Sequence, residues 1–246
     1  MKTRIVMHET LDGLAENHPD AMRSRRDLRR IHRAMGTRGI LQRALKRMTA
    51  SRRAIAPLRV LELGAGDGSL MLEVARVLAP SGFRADLSLL DRQAVVARDT
   101  ITSYAGVNWL AAAHVADVHA WAKAPVDPLV KGQKAGRWDL IVTNLFLHHF
   151  EGQELATLLG AVAQRTDGFI ACEPRRAWLP LLASYMVGAI GANAVTREDA
   201  VLSVQAGFMG NEISYLWPDD GAEWRIDECS SGLFSHCFQA QRVGVT

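Results

Sequence analysis

Two groups of residues in this chain have types and spacings suited to chemistry. The first is Glu62 followed by Gly64, Gly66 and Gly68. Glycines one residue apart let a turn adopt positive φ and leave backbone amides open to a ligand. An acid two places before the first glycine repels a pyrophosphate and attracts a cationic amino-acid end. The turn therefore suits a nucleotide-like cofactor that carries such an end. The second group is the adjacent pair His148 and His149. An imidazole with an ordinary pKa of about 6.5 can take a proton at neutral pH. Neighbouring rings point in different directions, so one is expected to face a substrate and the other to brace its loop. No metal is expected, because adjacent histidines without a nearby carboxylate cluster make poor ligand geometry.

Elements that place both groups can be read from hydrophobic spacing. Val60, Leu61 and Leu63 form a short apolar run that predicts a buried strand ending at the glycines. Leu70, Met71, Val74 and Leu78 then recur at helical spacing, so the glycines lie on a strand-to-helix turn, where unpaired N–H groups and a partial positive charge face outward. Ala85–Asp91 predicts a second strand ending in an acid, and a third is expected near residues 108–114. Trp138–Asn144 predicts a strong strand that delivers the histidine pair just beyond its carboxyl end, where ligands bind in open α/β sheets. Gly168–Pro174 predicts the next strand, with Arg175 and Arg176 past its end as either an anion-holding or a solvated pair. Residues 223–230 and 234–242 predict a final antiparallel pair.

The glycine turn and the run from Asp139 to Phe150, in which Asp-Leu-Ile-Val leads into Leu-His-His, resemble the class I S-adenosylmethionine-dependent methyltransferases of small-molecule type. The resemblance covers roughly residues 58–242. It implies a seven-stranded mixed sheet, last strand antiparallel, with helices on both faces. It also implies an enzyme whose cofactor is S-adenosylmethionine. Glu62, Gly64, Gly66 and Gly68 would hold the methionine end and Asp91 the ribose hydroxyls. Asp117 and the Val118 amide would meet the adenine, although Asp117 reads equally well as a helix N-cap. Asn144 joins the cofactor-binding set, and His148 or His149 would take the acceptor's proton. The expected acceptor is a small, largely apolar molecule, phenolic, quinone-like or polyketide-like, methylated on oxygen or carbon. Enzymes that methylate base amines usually carry Asn-Pro-Pro-aromatic after this strand, and here Leu145 and Phe146 follow Asn144, which counts against nucleic acid as substrate. Competing readings are a nicotinamide-dependent oxidoreductase, disfavoured by the glycine spacing and Glu62, and a non-catalytic cofactor- or RNA-binding module.

Length and charge set the remaining bounds. The 246 residues suit one α/β domain with additions. The net charge of +3 conceals a basic first quarter, with 15 Lys and Arg against 5 Asp and Glu over residues 1–60. Residues 1–57 are expected to form a basic helical cover for the substrate, with stripes such as Leu28, Ile31 and Met35. His32 on that helix reads as structural. Residues 58–246 form the cofactor-binding domain. Within them, the twenty uncharged residues 177–196 read as an apolar helical lid, with shallow membrane-surface contact left open. Thr196 reads as the cap of the following helix. Three cysteines without a disulfide or zinc spacing, and no signal-like start, point to a cytoplasmic protein.

Overall fold

The computed structural model describes residues 3–50, 56–125 and 137–244. The expected domain junction near residue 57 abuts residues 51–55, which lie outside the described residues. Seven strands form one sheet: β1 (Leu58–Leu63), β2 (Ala85–Asp91), β3 (Trp109–Val115), β4 (Leu140–Asn144), β5 (Gly168–Pro174), β6 (Trp224–Ser231) and β7 (Ser235–Arg242). Their order is β3-β2-β1-β4-β5-β7-β6. The first five run parallel, and β7 is antiparallel to both β5 and β6, as expected. The helices are α1 (Thr10–Gly13), α2 (Pro19–Met35), α3 (Thr37–Met48), α4 (Ser69–Leu78), α5 (Arg98–Ala105), α6 (Val118–Lys123), α7 (Gly152–Arg165), α8 (Trp178–Tyr185) and α9 (Ala194–Ala206).

Both faces of the sheet are covered, which is why its central strands read as nearly unbroken apolar runs. Along β1 the side chains alternate: Val60 packs with Leu41, Leu45, Met71 and Val74 from α3 and α4. Leu61 and Leu63 pack on the other side with Trp121 of α6 and Leu155, Leu159 and Val162 of α7. Glu62 belongs by this alternation to the α3–α4 side and is buried there. The chain reverses its direction of growth between β1 and β4, so their carboxyl ends splay apart at a topological switch point, the place where such sheets bind ligands.

Strand β1 ends in the glycine turn. Gly64, Gly66 and Gly68 all have positive φ, at 69°, 55° and 70°. Gly64 is doubly constrained, because a Cβ there would lie 2.2 Å from the ring of Phe146, whereas one at Gly66 would meet nothing within 4 Å. Gly64→Ala should therefore cost more than Gly66→Ala in urea unfolding. Both incur the left-handed penalty of roughly 1–2 kcal/mol, and the first adds an overpacking term of about 1–3 kcal/mol. Equal losses would mean that Phe146 yields freely.

Candidate functional site

The glycine turn is fixed from behind by hydrogen bonds. Gly64 and Ala65 donate their amides to the Leu90 carbonyl at 2.9 and 3.1 Å, and the Tyr104 hydroxyl donates to the Gly68 carbonyl at 2.7 Å. Asp91 at the end of β2 accepts from the Gly66 amide at 2.8 Å and, through its other oxygen, from the Gln93 amide at 2.9 Å. Each carboxylate oxygen keeps a second lone pair for a hydroxyl. Asp67, within the turn, pairs with Arg29 of α2 at 2.7 Å. Asp117 is an N-cap: its Oδ1 accepts from the His119 and Ala120 amides at the start of α6. Asp117 and Val118 nevertheless line the same cavity as Gly64, Gly66 and Asp91, so capping and ligand contact are compatible, whereas Gly68 does not line it.

Two buried acceptors at the switch point lack a partner among the described residues: Glu62 Oε2 at the end of β1 and Asn144 Oδ1 at the end of β4. Burial, reinforced by Asp67 and Asp91, raises the Glu62 pKa to about 8. The Asn144 Nδ2 group lies 3.2 Å from His32 Nε2. Burial, only partly opposed by Asp67, lowers the His32 pKa to about 4, so this ring is neutral and accepts the Asn144 amide proton. His32 thus reaches from α2 into the cavity wall, more intimately than a packing residue need do.

Beyond β4 the chain turns sharply. Leu145 adopts φ of 48°, a left-handed conformation that strains a non-glycine residue. The turn is held by Glu173, fully buried at the end of β5. Its carboxylate accepts from the Phe146 amide at 3.1 Å, the Leu147 amide at 2.9 Å and His148 Nδ1 at 2.9 Å. His148 is also buried, and its Nε2 lies 3.2 Å from Glu9. Burial alone lowers its pKa, but hydrogen bonds to Glu173 and Glu9 outweigh it and raise the value to about 9. Glu9, despite burial, is held ionised by His148. His149 is set the other way: burial first, and then the neighbouring imidazolium, lower its pKa. Its Nδ1 lies 3.3 Å from Asp12. The pair is thus set apart: both nitrogens of His148 are engaged by carboxylates, His149 is the more exposed ring with its pKa lowered, and both line the cavity.

Glu9 and Asp12 belong to an N-terminal arm that no periodicity marks. Arg4 anchors it, donating to the carbonyls of Ala206 and Phe150 at 2.7 and 2.8 Å and of His148 at 3.1 Å. Asp199 of α9 accepts from the Thr10 and Leu11 amides, and Arg92 pairs with Asp12 on the opposite side. The arm thereby closes one wall of a cavity of about 540 Å³, within the range of small-molecule sites. Val6, Met7, Leu11, Leu28, Leu145 and Phe146 supply much of its apolar lining.

Several expectations are corrected here. No described residue of 177–196 lines the cavity; α8 packs on α9 instead, and the arm with α2 provides the cover. The apolar run misled because burial and pocket lining demand the same residue types. Helix α9 starts at Ala194 and is capped by Asn193, whose Oδ1 accepts from the Thr196 amide at 2.8 Å. Arg176 is neither solvated nor at the cavity: it is buried, bonded to the Gly207 carbonyl at 2.7 Å and paired with Glu212. The histidines are not without carboxylates, since Glu9, Asp12 and Glu173 surround them. Ligand atoms of Glu9, His148 and His149 lie within 4.8 Å of one another, a spacing that the imidazole–carboxylate pairs themselves account for. The signal for Glu173 was its place as the acid near the end of β5; Glu9 and Asp12 carry no sequence signal.

No protein-family model matches the chain, and no curated protein matches it in sequence. Solved structures do. The plantazolicin methyltransferase BpumL in complex with SAH aligns at a TM-score of 0.61 with 13% identity, over 92% of this chain and 91% of that one. The plantazolicin methyltransferase BamL, with a triazolic desmethylPZN analog and SAH, aligns at 0.56 with 14% identity over 92% of each chain. The CurJ carbon methyltransferase aligns at 0.52 with 15% identity, over 83% of this chain and 53% of that one. The fold is that of the class I S-adenosylmethionine-dependent methyltransferases.

The Glu9–His148–Glu173 chain makes stability pH-dependent. A histidine raised to about 9 in the fold, from about 6.5 unfolded, contributes stability that is complete below pH 6.5 and is lost as pH rises through 9. The melting temperature should fall between pH 7 and 10, and His148→Gln should flatten that fall. Glu173→Gln, which leaves a buried charge half-paired, should cost about 3–5 kcal/mol at pH 7. A variant that melts like the wild type would remove Glu173 from its organising role.

Proposed function

We propose that the protein is an S-adenosylmethionine-dependent methyltransferase acting on a small, largely apolar acceptor through oxygen or an activated ring carbon. The observation that carries this is the pair of unpartnered buried acceptors, Glu62 Oε2 and Asn144 Oδ1, beside a glycine turn tied to Asp91. An ammonium group offers three donors and a positive charge to that pair. A pyrophosphate would be repelled by Glu62 and by the carboxylates of Asp67 and Asp91 at the turn, which disfavours a dinucleotide. The SAH-bound plantazolicin methyltransferases of the same fold support the same cofactor.

Glu62, Asn144 and the turn would hold the methionine end, Asp91 the ribose, and the free oxygen of Asp117 with the Val118 amide the adenine. The bound cofactor supplies a methyl group on a positively charged sulfur, which already carries its own leaving group. The chain's residues need to align the acceptor and exclude water. The arm from Val6 to Asp12 and the inner face of α2 enclose the acceptor among apolar side chains. The half-buried His149, neutral and oriented by Asp12, takes the proton of an oxygen acceptor. His148 stays protonated and fixes the loop on which His149 sits.

Binding and rate measurements test this reading. Calorimetry should show binding of S-adenosylhomocysteine and none of NADH; the reverse would sink the proposal. Because Glu62 is protonated below about pH 8 and an arriving ammonium favours its ionised form, binding should release a proton. Affinity should then rise from pH 6 toward 8, and Glu62→Gln should lose that slope. Asp91→Asn is the informative change at the ribose position, since Asp91→Ala would also release the Gly66 amide. His149→Ala should lower the rate on an oxygen acceptor by about 10²–10⁴-fold with cofactor affinity intact. The wild-type rate should climb with pH only below 6.5, because the His149 pKa is lowered. Removal of divalent ions with a chelator should leave the rate unchanged; a loss restored by added metal would assign the Glu9–His148–His149 cluster to an ion.

A further inference from the structure

Four large side chains on α8 and its end are left uncovered: Trp178, Leu182, Tyr185 and Met186, exposed by 72, 52, 61 and 62%. Their spacing of four, three and one places them in a single stripe, and the opposite side of the helix is buried at Pro180 and Ser184 and packs on α9. A stripe of this size on a folded chain calls for an occupant. No helix of the described residues is long and apolar enough to cross a membrane, so the stripe is not part of a span.

Charge next to the stripe identifies its partner. The chain leaves α8 through the turn Val187–Ile190, and two arginines from other helices close on that turn. Arg197 of α9 would lie 3.2 Å from a Cβ at Gly188, and Arg30 of α2 3.8 Å from one at Gly191. Arg30 begins a cationic face: Arg23, Arg26, Arg30 and Arg33 are all exposed along α2, together with Met22. Arg30 also pairs with the buried Asp27, which in turn accepts from the Asn193 amide and so docks α2 against the start of α9. Arg23, Arg26 and Arg33 make no ion pair among the described residues. Asp20 and Glu198 are the exposed carboxylates on the same two helices, outnumbered by the arginines.

We infer that this face binds the surface of an anionic lipid bilayer, with α8 lying in the interface and the α2 arginines against the headgroups. Tryptophan, tyrosine, leucine and methionine beside a cationic strip are the composition of an interfacial helix, and arginines near the surface add attraction to anionic lipid. A second protein copy would have to bring acidic groups to the same strip, and the apolar stripe of this chain carries none. The inner face of α2 lines the cavity through Arg25, Leu28, Arg29 and His32. The helix covering the site would therefore rest at the bilayer, a short path for an apolar acceptor. The binding surface itself stands independently of the reaction proposed above.

Flotation of the full-length protein with phosphatidylcholine vesicles, with and without phosphatidylglycerol, tests this. Binding is expected only with phosphatidylglycerol, weakening as salt rises. A Trp178→Ser, Leu182→Ser, Tyr185→Ser variant and an Arg23→Glu, Arg26→Glu, Arg33→Glu variant should each bind more than tenfold more weakly. Both should retain wild-type affinity for S-adenosylhomocysteine, which separates this surface from the cofactor site. The inference fails if anionic vesicles are not bound or if the variants bind as well as the wild type. It also fails if light scattering shows a dimer that the stripe variant dissociates, which would make a second copy the occupant.

Discussion

A single buried carboxylate, Glu173, sets the geometry on which the site depends. A charge at zero exposure is tolerated only when donors surround it, and Glu173 draws those donors from one short segment: the Phe146 and Leu147 amides and the His148 ring. Gathering them forces the chain to reverse immediately after β4, which is why Leu145 sits at positive φ. The strain of that conformation, of order 1–3 kcal/mol, is offset by charge-assisted hydrogen bonds made in a dry environment. The same reversal lays the Phe146 ring over Gly64 and so joins the histidine loop to the glycine turn.

From Glu173 the organisation spreads outward through His148. Its second nitrogen needs a partner as soon as the first is fixed, and Glu9 supplies one from the far end of the chain. The arm is thereby drawn across the cavity, with Arg4 and Asp199 satisfying backbone groups on either side of the crossing. A cationic His148 between two carboxylates also depresses the proton affinity of its neighbour. One histidine is kept charged, and its charge helps to hold the adjacent one neutral. The two rings lie 4.2 Å apart, close enough for this coupling to be strong.

On the opposite side of the switch point the logic is reversed. Glu62 is buried without a full set of donors and close to Asp67 and Asp91, so the protein leaves an acidic group unsatisfied. Such a group costs the fold some stability, because a buried polar atom without a partner keeps its desolvation penalty. His32 enters the same wall by its contact with Asn144, and α2 thus serves the cavity with one face and presents arginines to the outside with the other.

Much of this was legible in the chain itself. Strand and helix order, the parallel sheet with its antiparallel β7, the positive-φ glycines and the placing of Glu62, Asp91, Asn144 and the histidine pair all follow from local periodicity and turn chemistry, because those depend on neighbours a few residues away. The lid reading of 177–196 failed because an apolar run reports that water is to be avoided, not what is to be met. Thr196 lost the cap to Asn193 because both residue types can cap and the choice rests on Asp27 and Ser24, which reach Asn193 from α2. Above all, the opposite pKa shifts of His148 and His149 were decided by Glu9, Asp12 and Glu173, the first two lying more than 130 residues away along the chain. A histidine's protonation is set by the charges and the burial around it, and only the folded chain brings those together.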